Sequence, residues 1–263
     1  MRAGPSRHIV ITGASNGIGL ALALEYAKPG VVLGLVGREA QRMERAVHAC
    51  RERGARVVAG LIDVRDPIVM RQWLNEFDNA YPIDLLVANA GVASTLADAG
   101  DWEDLARTAH VVDTNFHGML HTVLPVIDRM RERKHGRIAM MSSLAALRGM
   151  AISPAYCASK SAVKAYADSI RPLLKRDGVG ISVILPGFVK TSMSDAFPGD
   201  KMFMQSAEQA AAFVRRKLDG GCAEIAFPGI LALGMRILSL LPVTLADVIL
   251  SRLSYLPRKE DAN

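Results

Sequence analysis

Cysteine is scarce in this sequence. Cys50, Cys157 and Cys222 stand far apart and are odd in number, which argues against a disulfide framework and against a paired-cysteine zinc site. Aromatic residues are also few, with seven Phe and two Trp. The basic excess, a formal net charge of +6, therefore has no stacking platform beside it. The basic residues include two groups, Arg38, Arg42, Arg45, Arg51 and Arg53, then Arg129, Arg131, Arg133 and Lys134, each interleaved with Glu. Solvated helix faces carry that pattern, so nucleic acid is not expected as a partner. The opening stretch, MRAGPSRHIVITG, has too short an apolar run for a secretory signal. The expectation is a reduced, cytoplasmic chain. No Pro/Gly/Ser linker and no internal repeat divides the 263 residues, a length suited to one α/β domain over 1–263.

What is present is an alternation. Short apolar runs occur at His8–Thr12, Val31–Val36, Arg56–Ile62, Leu85–Ala88, Arg137–Met141, Ile181–Leu185 and Ala223–Phe227. Consecutive apolar positions of this kind mark parallel strands buried on both faces. Helical periods fill the gaps: Gly17–Lys28, Glu39–Arg53, Pro67–Asn79, Asp101–Arg133, Pro154–Lys175 and Ala207–Leu218. Repeated β-α units with right-handed crossovers predict a doubly wound parallel sheet of about seven strands, with helices on both faces.

Between the first strand and first helix the chain reads Thr12-Gly13-Ala14-Ser15-Asn16-Gly17-Ile18-Gly19. Glycines there let the backbone turn tightly and approach a pyrophosphate, which the helix N-terminus then attracts. The second strand ends at Val36-Gly37-Arg38-Glu39. Many NAD enzymes place an acid near this point to hold the ribose hydroxyls. Here Gly37 stands at that position and Arg38 follows, a side chain suited to a 2′-phosphate. NADP(H) is the preferred cofactor and NAD(H) stays open, because a solvated Arg38 at a helix start is the alternative. Glu39 is expected to face away.

Tyr156 and Lys160 stand at i and i+4 of a helical segment, so both project from one face. A free tyrosine has a pKa of about 10. A neighbouring ammonium favours the phenolate, which makes the pair a candidate for moving a proton to or from a carbonyl oxygen.

In the order of these motifs the chain resembles the short-chain dehydrogenase/reductase family, roughly from Ser6 through Ser192. The loop Thr12–Gly19 is similar to the family's Thr-Gly-x-x-x-Gly-x-Gly, and Ala88-Asn89-Ala90-Gly91 to its Asn-Asn-Ala-Gly, with Ala in the first place. The resemblance implies a Rossmann-type fold and a four-residue catalytic set. Tyr156 would be the general acid/base, and Lys160 would lower its pKa and hold the nicotinamide ribose. Ser143 would bond the substrate oxygen, and Asn115, followed by Gly118, would position a water that links Lys160 to solvent. It further implies cofactor contacts at Gly13, Ser15, Asn16, Gly17, Ile18 and Gly19, at Asp63 and Val64 around the adenine, and at Asn89, Ala90 and Gly91. Pro186, Gly187, Val189 and Thr191 would hold the nicotinamide amide. No metal is expected, since the cofactor carries the hydride chemistry.

Other signals carry less. His117 and His121 share a helix face, but no third ligand is evident, so they read as packing or surface residues. Cys157 reads as a small core residue, and Met140, Met141 and Met150 as core filler. A substrate loop is expected at 188–206, with Phe197, Met202, Phe203 and Met204 as pocket or lid. The stretch 230–256, rich in Leu and Ile, predicts two short amphipathic helices broken at Pro242. It could cap the pocket, pack in a homodimer or homotetramer, or lie peripherally on a membrane through Arg252, Arg258 and Lys259. The leading expectation is an NADP(H)-dependent oxidoreductase on an apolar or lipid-like carbonyl/alcohol substrate. The alternatives are a non-catalytic NADP(H)-binding regulator and a reductase of a polysaccharide or polyketide intermediate.

Overall fold

Alternate residues along each central strand enter opposite cores, which is why the strands read as unbroken apolar runs. Ile9, Ile11, Leu33, Leu35, Leu85 and Val87 pack into one core, and Val10, Val36, Leu86 and Ala88 into the other. The computed structural model describes residues 7–98, 100–197, 201 and 203–252. Met202, residues 253–256, Arg258, Lys259 and the polar chain ends lie outside the described residues, as does the Arg252 side chain.

The strands are β1 (His8–Thr12), β2 (Val32–Gly37), β3 (Arg56–Leu61), β4 (Leu85–Ala88), β5 (Gly136–Met141), β6 (Val179–Pro186) and β7 (Glu224–Phe227). They form one sheet in the order β3-β2-β1-β4-β5-β6-β7, and every pairing is parallel. The order reverses between β1 and β4, so a crevice opens beyond their C-terminal ends.

Helices α1 (Gly17–Tyr26) and α2 (Ala40–Glu52) cover one face. On the other lie α3 (Pro67–Ala80), the run α4 (Leu105–Val112) into α5 (Gly118–Glu132), and α6 (Pro154–Arg176). The chain then forms α7 (Ser192–Asp195), α8 (Ala207–Asp219), α9 (Gly229–Leu240) and α10 (Val243–Arg252). Their apolar stripes supply the burial: Ala21, Leu22, Met43 and Val214 on the first face, Met70, Leu74, Val123 and Val163 on the second.

The boundaries follow local chemistry. The α3 start is set by Asp66, whose carboxylate accepts from the Ile68 and Val69 amides ahead of Pro67. The segment expected to be helical from Asp101 begins at Leu105 instead, because Asp104 accepts from the Arg107 amide at 2.7 Å and caps it there. Within that run Asp113–His117 forms a π turn, which hydrophobic periodicity does not reveal. The break at Pro242 separates α9 from α10 as expected.

Candidate active site

The C-terminal ends of β1, β4, β5 and β6 border a cleft of about 670 Å³. Thr12 and Asn89 tie its floor together across the strand switch point. The Thr12 hydroxyl accepts from the amides of Asn89 at 3.1 Å and Ala90 at 3.2 Å. The Asn89 amide donates to the carbonyls of Thr12 at 2.9 Å and Gly13 at 3.3 Å. Gly13 has φ +66, and a Cβ on it would sit 2.9 Å from the Ala90 Cα. A Cβ on Gly19 would overlap the Gly13 carbonyl oxygen. The loop therefore folds only with glycine at these two places.

Asn16 caps α1 by accepting from the Gly17 amide at 2.7 Å, and its amide nitrogen donates to the Ser192 hydroxyl at 2.8 Å. The first turn of α1 holds no acidic residue, so its positive end is left for an anion. This cradle, which a side chain would fill, fits a pyrophosphate-bearing nicotinamide cofactor. Of the expected catalytic and cofactor positions, all line the cleft except Gly19 and Asn115, which are buried behind it.

Beyond the end of β2, Arg38 and Arg42 both border the cleft. Glu39, expected to face away, borders it too, as a correction to the sequence reading. It precedes the first turn of α2 as an extended N-cap residue rather than lying on the helix's outer face. Arg42 was missed because it sat within an apparently solvated basic run. The Arg38 guanidinium approaches Asp63 at 3.8 Å. Asp63 is held more closely by Arg65, at 2.7 Å, and that bond keeps its carboxyl below the usual carboxylate range.

At the other end β5 and α6 bring together the catalytic candidates. The Ser142 hydroxyl donates to the Lys160 carbonyl at 2.7 Å and fastens α6 to the strand end. Ser143 follows, capping the short 3-10 turn Leu144–Ala146. The Lys160 ammonium is buried, donates to the Met141 carbonyl at 2.9 Å and lies 5.7 Å from the centre of the Tyr156 ring. Burial pushes the Tyr156 hydroxyl up to about 12, against a hydrogen bond with Ser143 that pulls it down. Burial also brings Lys160 down to about 8.

The expected lowering of the Tyr156 pKa by Lys160 is thus not seen in the protein alone. Both groups have lost water, and desolvation disfavours each charged form. Asn115 lies in the π turn, and its side chain is fully engaged by protein. It accepts from the Val92 amide at 2.8 Å and donates to the Val92 carbonyl and the Ser159 hydroxyl, each at 2.9 Å. Its side chain therefore clamps the loop after β4 to α6.

The end of the cleft beside Tyr156 is apolar. Phe197 packs edge-on against Tyr156 at 5.9 Å and against Phe188 at 6.1 Å. Met150, Met193, Leu231 and Met235 complete the wall. Met141 and Met150 therefore border the cleft, as a correction to their reading as core filler; Met140 is fully buried. Phe203 and Met204 were expected as pocket or lid; they are 49% and 38% exposed and do not line the cleft. Leu231 and Met235 were missed, although their i, i+4 spacing on α9 was a usable signal.

His117 and His121 border a separate small cavity with Arg65 and Asp113. His117 bonds Asp113 at 2.9 Å, and His121 bonds the Val64 carbonyl at 3.0 Å. Among the described residues no group of three metal-ligating side chains occurs.

Comparison with known proteins agrees with this geometry. The profile of the family described as short chain dehydrogenase matches residues 7–201. An uncharacterized oxidoreductase of Myxococcus xanthus is 34% identical over 94% of this chain and 97% of its own length. The 11-beta-hydroxysteroid dehydrogenase 1A of Arabidopsis thaliana is 35% identical over 71% of this chain, a match spanning 53% of that longer protein. Among solved structures, a short chain dehydrogenase from Mycobacterium paratuberculosis bound to NAD superposes with a TM-score of 0.74. It is 25% identical, with 84% of this chain and 95% of that one covered.

Proposed function

The chain belongs to the short chain dehydrogenase family, and from that premise we propose that it is an NADP(H)-dependent oxidoreductase acting on an apolar, lipid-like carbonyl/alcohol pair. The observation that carries this reading is that Ser143, Tyr156 and Lys160 share one cleft with the glycine cradle. When bound there, the cofactor supplies the hydride. In the reducing direction the Tyr156 hydroxyl, raised to about 12 and so protonated at neutral pH, donates its proton to the substrate oxygen. The Ser143 hydroxyl bonds the same oxygen as charge develops on it. The Lys160 ammonium favours the phenolate left behind. Asn115 holds the loop after β4 against α6, and Lys160 then stands at a fixed depth.

Two features support the finer assignments. Arg38 and Arg42 together offer two cations for a 2′-phosphate. Phe197, Met150, Leu231 and Met235 offer apolar surface to a substrate, and the plant relative's printed name is that of a hydroxysteroid dehydrogenase. We read residues 1–263 as one catalytic unit, with 188–206 as substrate loop. Leu231 and Met235 support the cap reading of the C-terminal helices. Their outer surface exposes Ile230, Leu233, Ile237, Leu240 and Val243, where a homodimer or homotetramer contact, or a peripheral membrane contact of a cytoplasmic protein, would act. Among the described residues no helix is long and apolar enough to cross a membrane. Gel filtration separates the assembly readings, and flotation with anionic liposomes tests the membrane reading.

The central test follows NADPH absorbance with a panel of apolar ketones. Turnover by the native protein is expected, with a fall of about 10²–10⁴-fold in kcat for Tyr156→Phe while NADPH still binds. NADPH binding with no consumption across the panel would favour a regulator, and full activity of Tyr156→Phe would remove the mechanism.

A further inference from the structure

The helix that carries Tyr156 and Lys160 is not capped by its own sequence. Its N-cap residue, Ser153, makes no side-chain bond to the first turn of α6. Instead the Ser153 hydroxyl donates to the Ser94 carbonyl. Pro154 follows at the first helical position and has no N–H to satisfy. The first amide that needs a partner is Ala155, directly before Tyr156. It donates at 2.7 Å to a carboxylate oxygen of Glu103, 52 residues earlier in the loop between β4 and α4.

Glu103 is a buried side chain in a segment that otherwise touches α6 through neutral groups. The Leu96 amide donates to the Ile152 carbonyl at 2.9 Å, and Ser94 accepts from Ser153. Glu103 supplies the charged contact of this set. It is 8% exposed, and its second oxygen, Oε1, is buried without a hydrogen-bond partner. Burying a carboxylate with a single amide bond is costly. The Ser153 hydroxyl, were it turned to the α6 amides instead of the Ser94 carbonyl, could cap the turn at less cost. The positive end of a 23-residue helix offsets part of that cost, and the charged bond is stronger and more directional than a neutral one.

We propose that Glu103 is a positioning residue for the proton donor: its carboxylate seats the first turn of α6 and so fixes where the Tyr156 hydroxyl stands. This rests on the reading of Tyr156 as the general acid/base. Glu103 touches neither the Tyr156 hydroxyl nor the cleft and acts through the Ala155 amide. Removing it loosens the turn that holds Tyr156 away from water. The Glu103 carboxylate acts on Cys157 and on Arg107 of α4, while Tyr156 is faced by Lys160, Cys157 and the Ser143 hydroxyl. Burial is the main cause of the raised Tyr156 midpoint, so loosening the turn lowers it.

The test uses the full chain labelled with ¹³Cζ-tyrosine, with the Tyr156 signal identified by its loss in Tyr156→Phe. In Glu103→Ala the Tyr156 midpoint is expected to fall by about half a unit or more. Ketone reduction with NADPH is expected to lose about tenfold in kcat with KM changed less than about threefold. Glu103→Gln keeps a bond to Ala155 and is expected to recover most of the kcat. A cap of purely structural value would lower thermal stability and leave both the Tyr156 midpoint and kcat in place. A folded Glu103→Ala protein with an unchanged midpoint overturns the proposal, as does a loss confined to KM. If Glu103→Ala does not fold, Glu103→Asp, whose carboxylate is drawn back by one methylene, is judged by the same two readouts. Full activity of Tyr156→Phe would instead overturn the acid/base reading, whatever the Glu103 variants do.

Discussion

At the cofactor end of the cleft the backbone itself is what is held: Gly13 and Gly19 have no room for a Cβ, and the Thr12 and Asn89 side chains make four hydrogen bonds to backbone groups. At the substrate end, Met150, Phe197, Leu231 and Met235 act through side-chain volume, brought in by separate loops and by α9. A backbone requirement admits one residue type at a fixed spacing. A wall of apolar volume admits many residue types in many combinations. The first end is therefore rigid and legible as a motif, and the second can be rebuilt without disturbing it.

That contrast can be broken most sharply at Gly19. A Gly19→Ala protein has to move the Gly13 carbonyl or Asn89, and cofactor affinity is expected to fall by about 100-fold or more, the order of one misplaced positioning contact. Fluorescence titration with NADPH measures it, and unaltered affinity would show the loop to be adaptable. Next in size is Arg38→Asp. It removes a cation from the adenosine end and sets an acid there, and is expected to move the NADPH-over-NADH ratio by about tenfold to 100-fold. An unchanged ratio removes the 2′-phosphate assignment.

The pH dependence of kcat/KM probes the point where the two ends meet. Lys160 titrates at about 8 in the protein alone, lowered by burial. As pH rises through that value the ammonium is lost, and with it the charge that favours a Tyr156 phenolate. Ketone reduction should therefore be level below about pH 7 and fall above about pH 8. Tyr156, near 12, keeps its proton over that window and adds no limb of its own. A profile level to pH 10 would disconnect Lys160 from the chemistry. The smallest effect is expected at the substrate end. Leu231→Ala should raise KM for apolar ketones by about tenfold, the worth of a few methylenes, and leave NADPH affinity unchanged. Equal changes in both would show that the ends are coupled.

The sheet was readable because burial on both faces forces unbroken apolar strands, as at Ile9, Val10 and Ile11, all fully buried. The cofactor loop was readable because Gly13 and Gly19 have no substitute at their positions. Arg42 and Glu39 were not, since a charged residue beside a cofactor and one in water look alike in a sequence. Phe203 and Met204 could not be placed for the converse reason: an apolar residue in a loop does not say which way it faces.

By itself the sequence determined the alternation of strands and helices, the cradle at Thr12–Gly19, and the pairing of Tyr156 with Lys160 on one helical face. These depend on local period and on residues that the backbone geometry demands. Only the tertiary structure decided that Lys160 spends its ammonium on the Met141 carbonyl, that burial carries Tyr156 up to about 12, and that Glu103 caps the helix holding both. Those outcomes depend on desolvation and on contacts between distant segments, and neither is written in the spacing of residues along the chain.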